Sequence, residues 1–259
     1  MNNALSGDRN FDDLVDRFEK RIYKTPKGNI RLSVLSRDLS VELPDIEQGE
    51  GKALLDIGGG FGQFSIKFAK MGYAVQYNDL SQKMMEKARH AAKLENVVDQ
   101  IQWHCGPYQT LARTMKSYDI VLCHAVIEWL EQPQKLIAAL AGYLKPGGHL
   151  SLCFYNPVSM VYRNLLYGNF RRLVESDYQI KGGLTPTNPT HRKDVLDWLN
   201  DARLFVRSES GVRVFIDYVR EKHGGNLLPE QILEQELQYS QLEPYKWMGR
   251  YLHVIAQAE

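Results

Sequence analysis

The sequence of 259 residues has little cysteine, no long apolar run and almost no net charge, and each shortage excludes a class of protein. Its three cysteines, Cys105, Cys123 and Cys153, form no C-x-x-C pair, which argues against a disulfide framework and a zinc site. Each ends an apolar run, so we expect reduced core residues. No apolar run reaches the ~18 residues of a membrane-spanning helix, and the polar start "MNNALSGDRNFDD" lacks a signal-peptide pattern. These shortages predict a cytoplasmic protein with no membrane partner and no metal.

The formal net charge is only +1, so a nucleic acid could be bound only through a local basic patch. Residues 17–37 contain such a patch, in which the single acid Glu19 accompanies Arg17, Lys20, Arg21, Lys24, Lys27, Arg31 and Arg37. Charge runs of this kind are ordinarily solvated helix faces, so this run by itself does not establish an RNA-binding surface.

Apolar strand-like segments alternate with helical patterns over residues 51–155, which predicts a parallel sheet with helices on both faces. The predicted strands are ALLDI (53–57), AVQYND (74–79), IQWHC (101–105), YDIVLCH (118–124) and HLSLCFY (149–155). Ser81 is the expected N-cap of the helix that follows the second strand. We interpret 1–50 as an N-terminal helical cap and 51–155 as the cofactor-binding core of a single domain.

The alternation breaks after residue 155. Residues 156–189 are too long and too rich in Gly, Pro, Tyr and Arg for a simple connection, so we interpret them as a substrate-facing insertion. In the C-terminal part of the core, 190–259, Thr190 is the expected N-cap of the helix HRKDVLDWLNDA. LFVRSESGVRVFIDYV (204–219) is predicted as strand, and GRYLHVIAQ (249–257) as the last strand.

The stretch LLDIGGGFGQ (54–63) looks like a phosphate-binding turn, but its spacing excludes the dinucleotide fingerprint. In G-x-G-x-x-G counted from Gly58, the third glycine would fall on Gln63. The pattern present is D-x-G-x-G-x-G from Asp56, which resembles the first motif of class I S-adenosylmethionine-dependent methyltransferases. Asp79 ends the second predicted strand, where an acid can accept hydrogen bonds from both ribose hydroxyls of such a cofactor.

This resemblance implies a Rossmann-like α/β fold, with a mostly parallel seven-stranded sheet and an antiparallel last strand. Two kinds of methyl acceptor are not supported by the residues present. Methylation of a pyrimidine carbon needs an exposed thiolate, and no cysteine lies in an electropositive loop. Methylation of a base amine usually comes with Asn-Pro-Pro-Tyr after the fourth strand, where this sequence has HAVIEWLEQP.

Several segments resemble the bacterial tRNA 5-carboxymethoxyuridine methyltransferase family. They include RNFDDLVDRFEKRIYKTPKGNIRL (9–32), LCHAVIEWLEQP (122–133), SGVRVFIDYVREKH (210–223) and EPYKWMGRYLHV (243–254). The resemblance runs from about Arg9 to the carboxyl terminus. It implies an enzyme that uses S-adenosyl-L-methionine to convert the carboxylate of 5-carboxymethoxyuridine, at the wobble position of the tRNA anticodon loop, into a methyl ester.

The same resemblance implies a set of cofactor-binding residues. Arg31 would bind the cofactor carboxylate from an N-terminal segment that closes over the site, and His124 would contact the cofactor from the fourth strand. The others are Asp56, Gly58, Gly59 and Gly60 of the glycine motif, Asp79 at the ribose, and Gly106 and Pro107 at the adenine. Many related methyltransferases place an acid after the third strand to bind the adenine amino group. Here the sequence is Cys-Gly-Pro-Tyr, so a backbone or stacking contact must replace it.

A carboxylate acceptor explains why no catalytic base is predicted. It is already ionised at neutral pH and needs to lose no proton, so positioning does most of the work. An arginine should bind this carboxylate through two parallel hydrogen bonds. The candidates are Arg213, Arg220 and Arg171, with Tyr218 as an aromatic neighbour.

In the strand predicted at 204–219, Arg213 and Phe215 share one face. Tyr218, Arg220, Lys222 and His223 then follow as the chain leaves the strand, a mixture that suits phosphates and a flipped base. The alternative is an edge strand protected by its charges.

Two other functions stay open. One is methylation of a small carboxylic or phenolic metabolite, which is favoured if the basic and aromatic side chains line a closed pocket. The other is a cofactor-sensing RNA-binding protein without turnover. The sequence does not predict the oligomeric state.

Overall fold

The computed structural model describes residues 8–18, 25–111, 117–174, 186–219 and 228–259. The strands are β1 (Ala53–Ile57), β2 (Ala74–Asp79), β3 (Ile101–Cys105), β4 (Tyr118–His124), β5 (Leu144–Tyr155), β6 (Leu204–Val212) and β7 (Tyr251–Ala258). The helices are α1 (Val15–Phe18), α2 (Pro26–Glu42), α3 (Gln63–Lys70), α4 (Gln82–Leu94), α5 (Pro133–Tyr143), α6 (Pro157–Leu166), α7 (Arg171–Val174), α8 (Arg192–Asp201) and α9 (Pro229–Tyr239). The predictions that concern Lys20, Arg21, Lys24, Arg220, Lys222 and His223 lie outside the described residues.

The strands form one seven-stranded sheet in the order β3-β2-β1-β4-β5-β7-β6. β1 to β5 are parallel to their neighbours within that group, whereas β7 is antiparallel to both β5 and β6. The predicted fold class is therefore confirmed. The strand order reverses direction at β1 and β4, and in open α/β sheets ligands bind beyond the carboxyl ends of the strands at such a point.

The central strands are buried on both faces, which is why they appear in the sequence as continuous apolar runs. Successive residues of β1 alternate between two apolar clusters, since Leu55 packs on one side of the sheet and Leu54 on the other. Both are fully buried, and each such side chain contributes about 1.5–3 kcal/mol relative to exposure. Among the described helices, none is long and apolar enough to cross a membrane.

Helix α2 supplies the N-terminal wall of the site. Thr25 caps it by accepting a hydrogen bond from the Gly28 amide at 3.2 Å, and Pro26 occupies the first turn. Its apolar face, which includes Ile30 and Val34, is buried in the cluster that covers β1 and β2. This packing fixes the direction in which Arg31, on the next part of the helix surface, can project.

Some predicted boundaries differ from the structure. Ser81 is confirmed as the N-cap of α4, since its hydroxyl accepts from the Met84 amide at 3.1 Å. Thr190 is not a cap, because His191 occupies the N-cap of α8 and the Thr190 hydroxyl donates to the Asn188 carbonyl instead. β5 begins at residue 144 rather than 149, and Cys105 is exposed at the edge strand β3 instead of lying in the core.

The long strand predicted at 204–219 is wrong in its second half. β6 ends at Val212, Arg213 adopts a left-handed φ of 61°, and the next residues form turns. The buried carboxylate of Glu236 in α9 accepts hydrogen bonds from the backbone amides of residues 214, 215 and 216 at 2.7, 3.2 and 2.9 Å. These bonds replace a strand ladder, so Arg213 and Phe215 do not share the face of a strand.

Candidate active site

A pocket opens where the carboxyl ends of β1, β2 and β4 meet. Five of the predicted cofactor-binding residues line it: Arg31, Gly58, Gly60, Asp79 and His124. Its apolar wall consists of residues that the sequence did not single out, including Phe11, Met84, Tyr108, Trp129, Leu130 and Tyr251. The structure thus brings together side chains from distant parts of the chain.

The glycine loop after β1 has a backbone that only glycine adopts easily. Gly58 and Gly60 have φ values of 67° and 54°, and a Cβ at Gly58 would come within 2.3 Å of a methyl group of Val126. The Gly60 carbonyl accepts a hydrogen bond from the buried Tyr77 hydroxyl at 2.7 Å. The loop is therefore fixed in place and leaves the pocket open above it.

Asp79 joins the glycine loop to the end of β2. Its carboxylate accepts from the amides of Gly60 and Ser81 at 2.9 and 2.8 Å. Burial raises the pKa of Asp79 to about 6, and the charge of Asp12 adds to the shift. The group is ionised at neutral pH, and carboxylate lone pairs that these amides do not use can accept from ribose hydroxyls.

The other four predicted residues, Asp56, Gly59, Gly106 and Pro107, are not among those that line the pocket. Asp56 lies beneath it and accepts from the Ser65 hydroxyl at 2.6 Å, and burial raises its pKa to about 6. The Gly106 amide donates to the Asp79 carbonyl at 2.9 Å. These residues support the lining, and the adjacent Tyr108 is the residue that reaches the pocket.

His124 is the pocket end of a chain of buried polar groups that crosses three strands. Its Nε2 lies 2.8 Å from the Ser151 hydroxyl, which lies 2.8 Å from Nε2 of His253. Nδ1 of His253 lies 2.7 Å from the Asp38 carboxylate. Burial lowers the pKa of His124 well below its ordinary value, so its ring is neutral. For Asp38, burial acts to raise the pKa, but the hydrogen bond and charge of His253 and the charge of Arg37 lower it overall.

The ionised end of this chain sets the direction of its first hydrogen bond. Asp38 can only accept, so His253 donates to it through Nδ1. The Ser151 hydroxyl then joins Nε2 of His253 to Nε2 of His124. Because Nε2 of His124 faces Ser151, Nδ1 is the ring nitrogen left for a hydrogen bond with a group in the pocket.

The N-terminal segment covers the pocket. Phe11 packs edge-on against Trp129 with ring centroids 4.8 Å apart, and the Arg9 amide donates to the Trp129 carbonyl at 3.3 Å. The Asp12 carboxylate accepts hydrogen bonds from the Ser81 hydroxyl and the Lys83 amide at the start of α4. These contacts place apolar side chains over the mouth of the pocket.

Arg213, Tyr218 and Arg171, which were predicted to position the substrate, do not line this pocket, and the fourth candidate, Arg220, lies outside the described residues. Arg213 forms a two-pronged ion pair with Asp217, which also accepts from Lys27 at 2.6 Å. Burial acts to raise the pKa of Asp217, but these two cations lower it to about 2. Tyr218 donates to the Met248 carbonyl at 2.6 Å, and Arg171 is exposed on α7.

A different group of residues lies beside the pocket where β5 ends and β7 begins. Tyr155 and Tyr251 are directly paired across these strands, and their rings contact edge-on with centroids 5.9 Å apart. The Arg250 guanidinium lies over the Tyr155 ring, 4.8 Å from its centroid. Glu128, just after β4, is buried, and burial raises its pKa to about 8. The sequence signal for Arg250 and Tyr251 was present in EPYKWMGRYLHV, but nothing there distinguished site residues from strand residues.

The fold and pocket define a class I S-adenosylmethionine-dependent methyltransferase. A family described as a methyltransferase domain matches residues 55–152. The fold resembles that of Synechocystis magnesium protoporphyrin IX methyltransferase with bound SAH, at a TM-score of 0.65, 16% identity and 96% coverage of each chain. It also resembles a Mesorhizobium loti S-adenosylmethionine-dependent methyltransferase, at a TM-score of 0.58, 21% identity and coverage of 85% of this chain and 96% of that one.

A relative found by sequence is more similar to this chain than these two solved structures are. The Escherichia coli K12 tRNA 5-carboxymethoxyuridine methyltransferase is 40% identical over 252 residues, which is 96% of each chain. The chain belongs to the tRNA 5-carboxymethoxyuridine methyltransferase family.

Proposed function

We propose that this chain transfers a methyl group from S-adenosylmethionine to the carboxylate of 5-carboxymethoxyuridine at the wobble position of the tRNA anticodon loop. The observation that carries the proposal is the 40% identity to the E. coli enzyme over nearly the whole chain. Because tRNA is the substrate, we infer a cytoplasmic location.

The residues present fit the cofactor. Arg31 would bind its carboxylate, the loop at Gly58–Gly60 would lie against its methionine part, and Asp79 would accept from its ribose. His124 would contact the cofactor through Nδ1, the ring nitrogen that does not face Ser151. Since burial keeps the His124 ring neutral, it does not repel the positive charge of the cofactor. Tyr108 offers an aromatic ring to the adenine, and Gly106, Pro107 and Asp56 would act by supporting these side chains.

When bound, the cofactor supplies an electrophilic methyl group, so a carboxylate acceptor requires no base from the protein. The chain contributes by excluding water and by holding the two reactants in line. Phe11, Trp129 and Tyr251 form apolar walls around the pocket. An anion and a cation that neutralise each other in the transition state react more readily in such a dry site than in bulk water.

Methyl transfer to bulk tRNA tests the proposal. The purified protein and labelled S-adenosylmethionine are incubated with tRNA from a strain that lacks this gene, and with tRNA from a strain that cannot make 5-carboxymethoxyuridine. We expect label only in the first tRNA. Transfer to small carboxylic acids or phenols but not to tRNA would indicate a metabolite methyltransferase. Binding of tRNA without transfer to any acceptor would indicate an RNA-binding protein without turnover.

A further inference from the structure

We propose that Arg250 and the hydroxyl of Tyr155 bind the carboxylate of the methyl-accepting nucleoside, in place of the arginines that the sequence suggested. The inference rests on the proposed function, because it assigns the recognition of that carboxylate to particular residues. It follows from where the two residues lie, from the charge that Arg250 retains, and from the buried hydroxyl of Tyr155.

The two residues lie next to the cofactor pocket at the carboxyl edge of the sheet. His124, which lines the pocket, is paired with Cys153 in β5, and Tyr155 lies two residues beyond that pair. Tyr251, which also lines the pocket, is directly paired with Tyr155 and follows Arg250 in the chain. A group held between Tyr155 and Arg250 would therefore lie beside the pocket and on the side away from β2, where the ribose is expected.

The charge of Arg250 is not neutralised within the part of the chain that the structure describes. Nearby cations are engaged elsewhere, since both Arg213 and Lys27 bind Asp217. No acid among the described residues forms an ion pair with Arg250, which is only partly exposed and stacks on the Tyr155 ring. A guanidinium that stacks on a ring keeps its five N–H donors available, so the Tyr155 ring orients the Arg250 side chain without occupying those donors.

Hydrogen bonds fix the backbone on both sides of Arg250. The Arg250 amide donates to the Arg213 carbonyl at 3.2 Å, and the Arg250 carbonyl accepts from the Asn156 amide at 3.1 Å. The Asn156 side chain in turn donates to the carbonyls of residues 247 and 249, both at 2.9 Å. Arg250 is therefore positioned before substrate arrives, as a selective binding group requires.

The Tyr155 hydroxyl is a second donor without a partner. The residue is 2% exposed, and its hydroxyl oxygen is buried with no hydrogen-bond partner among the described residues. Buried hydroxyls are nearly always hydrogen-bonded, so one without a partner suggests a group that binds from outside. Burial raises the pKa of Tyr155, so the hydroxyl keeps its proton and can donate.

Together the pair would recognise a carboxylate without quenching it. A carboxylate offers about four lone-pair positions, and two prongs of Arg250 with one hydroxyl would occupy three of them. One lone pair would remain for the bond to the methyl group. A neutral substituent in the same place would leave the guanidinium without an anion.

The test compares two anticodon stem-loops that differ only at the wobble position, with 5-carboxymethoxyuridine in one and 5-methoxyuridine in the other. We expect the cofactor-loaded wild type to bind the carboxylate stem-loop at least tenfold more tightly. Arg250→Ala should lower that ratio to near one while leaving affinity for the neutral stem-loop unchanged. If Arg250 had a purely structural role, its replacement would weaken the binding of both stem-loops alike. Arg203→Ala is the matched control, because Arg203 is an exposed arginine whose partner is Glu259 near the carboxyl terminus.

Conservative variants keep the test decisive if Arg250→Ala misfolds. Arg250→Lys keeps the charge but loses the fork, and Tyr155→Phe loses only the hydroxyl. With cofactor affinity by calorimetry as the check on folding, each should raise KM for the carboxylate stem-loop at least fivefold and change kcat less. A wild type that does not prefer the carboxylate stem-loop would contradict the proposed function. A preference that survives in Arg250→Ala, or in both conservative variants, would overturn this inference alone.

Discussion

At the scale of single residues, the site depends on polar groups that burial places in unusual states. His124 is neutral because burial lowers its pKa, and its Nε2 is held by the Ser151 hydroxyl. Asp79 has its pKa raised to about 6 and Glu128 to about 8, chiefly because burial disfavours their charged forms. Such perturbed groups cluster where a protein binds or transforms charged ligands.

Replacing Ser151 with alanine should weaken cofactor binding. The change removes the hydroxyl that joins His124 to His253 and leaves both ring nitrogens without that partner. We expect a loss of about 1–3 kcal/mol in cofactor binding or stability. Ser210→Ala is the control, because Ser210 is also buried but its hydroxyl has no partner among the described residues. If calorimetry shows equal cofactor affinity and equal stability for the two variants, the hydrogen-bonded groups from His124 to Asp38 do not support cofactor binding.

Gly58→Ala should abolish or strongly weaken cofactor binding. The backbone at residue 58 has a left-handed φ, and the added Cβ would lie 2.3 Å from a methyl group of Val126. Gly51→Ala has a similar φ of 78° but nothing within 4 Å of its Cβ, so it isolates the backbone cost of about 1 kcal/mol. We expect Gly51→Ala to bind the cofactor normally and Gly58→Ala to lose at least tenfold in affinity. Normal binding by both variants would show that crowding in the loop is unimportant.

Glu128 should make the protein less stable as the pH rises. Its folded pKa of about 8 exceeds the ordinary value of 4.5, so between these values the folded state holds a proton that the unfolded chain has lost. The free energy of unfolding should therefore fall with rising pH by up to about 1.4 kcal/mol per unit. Glu128→Gln should flatten this dependence in urea unfolding at pH 5.5 and 7.5, and exposed Glu131→Gln should not. Identical slopes for all three proteins would refute the assignment.

At the scale of elements, the sequence predicted β1 to β4 correctly because buried parallel strands are continuous apolar runs bounded by turns. It missed the start of β5, where Lys-Pro-Gly-Gly resembles a turn yet lies within a strand. It also missed the end of β6, because the acceptor that ends the strand is Glu236, more than twenty residues later. Likewise, the glycine loop and Asp79 were predictable from local spacing, whereas Arg250 and Tyr155 depend on the pairing of β5 with β7.

The turn after β6 should depend on one carboxylate. Glu236→Ala would leave three backbone amides without their acceptor, and we expect a loss of roughly 3 kcal/mol in the free energy of unfolding. Glu234→Ala, an exposed position on the same helix, should change it by less than about 0.5 kcal/mol. Urea unfolding measures both, and a Glu236→Ala variant as stable as the control would show that other contacts hold the turn.

At the scale of the whole molecule, the site exists only when the fold is complete. Its walls come from the segment before α1, from α2, from the ends of β1, β2 and β4, and from the start of β7. Apolar side chains cover part of the cofactor pocket, and Arg250, which has no acidic partner among the described residues, lies beside the pocket next to Tyr251. The molecule is therefore suited to join a cationic methyl donor to an anionic acceptor. That combination favours a carboxylate over a phenol or an amine, each of which would need a base.

The most direct test of this account is the chemical identity of the methylated product. After single-turnover reaction with tRNA that contains 5-carboxymethoxyuridine, the nucleosides are separated by mass spectrometry before and after mild alkali. We expect one added methyl group on 5-carboxymethoxyuridine, and we expect alkali to remove it because the product is an ester. A methyl group that survives alkali, on a base or a ribose, would contradict methylation of the carboxylate.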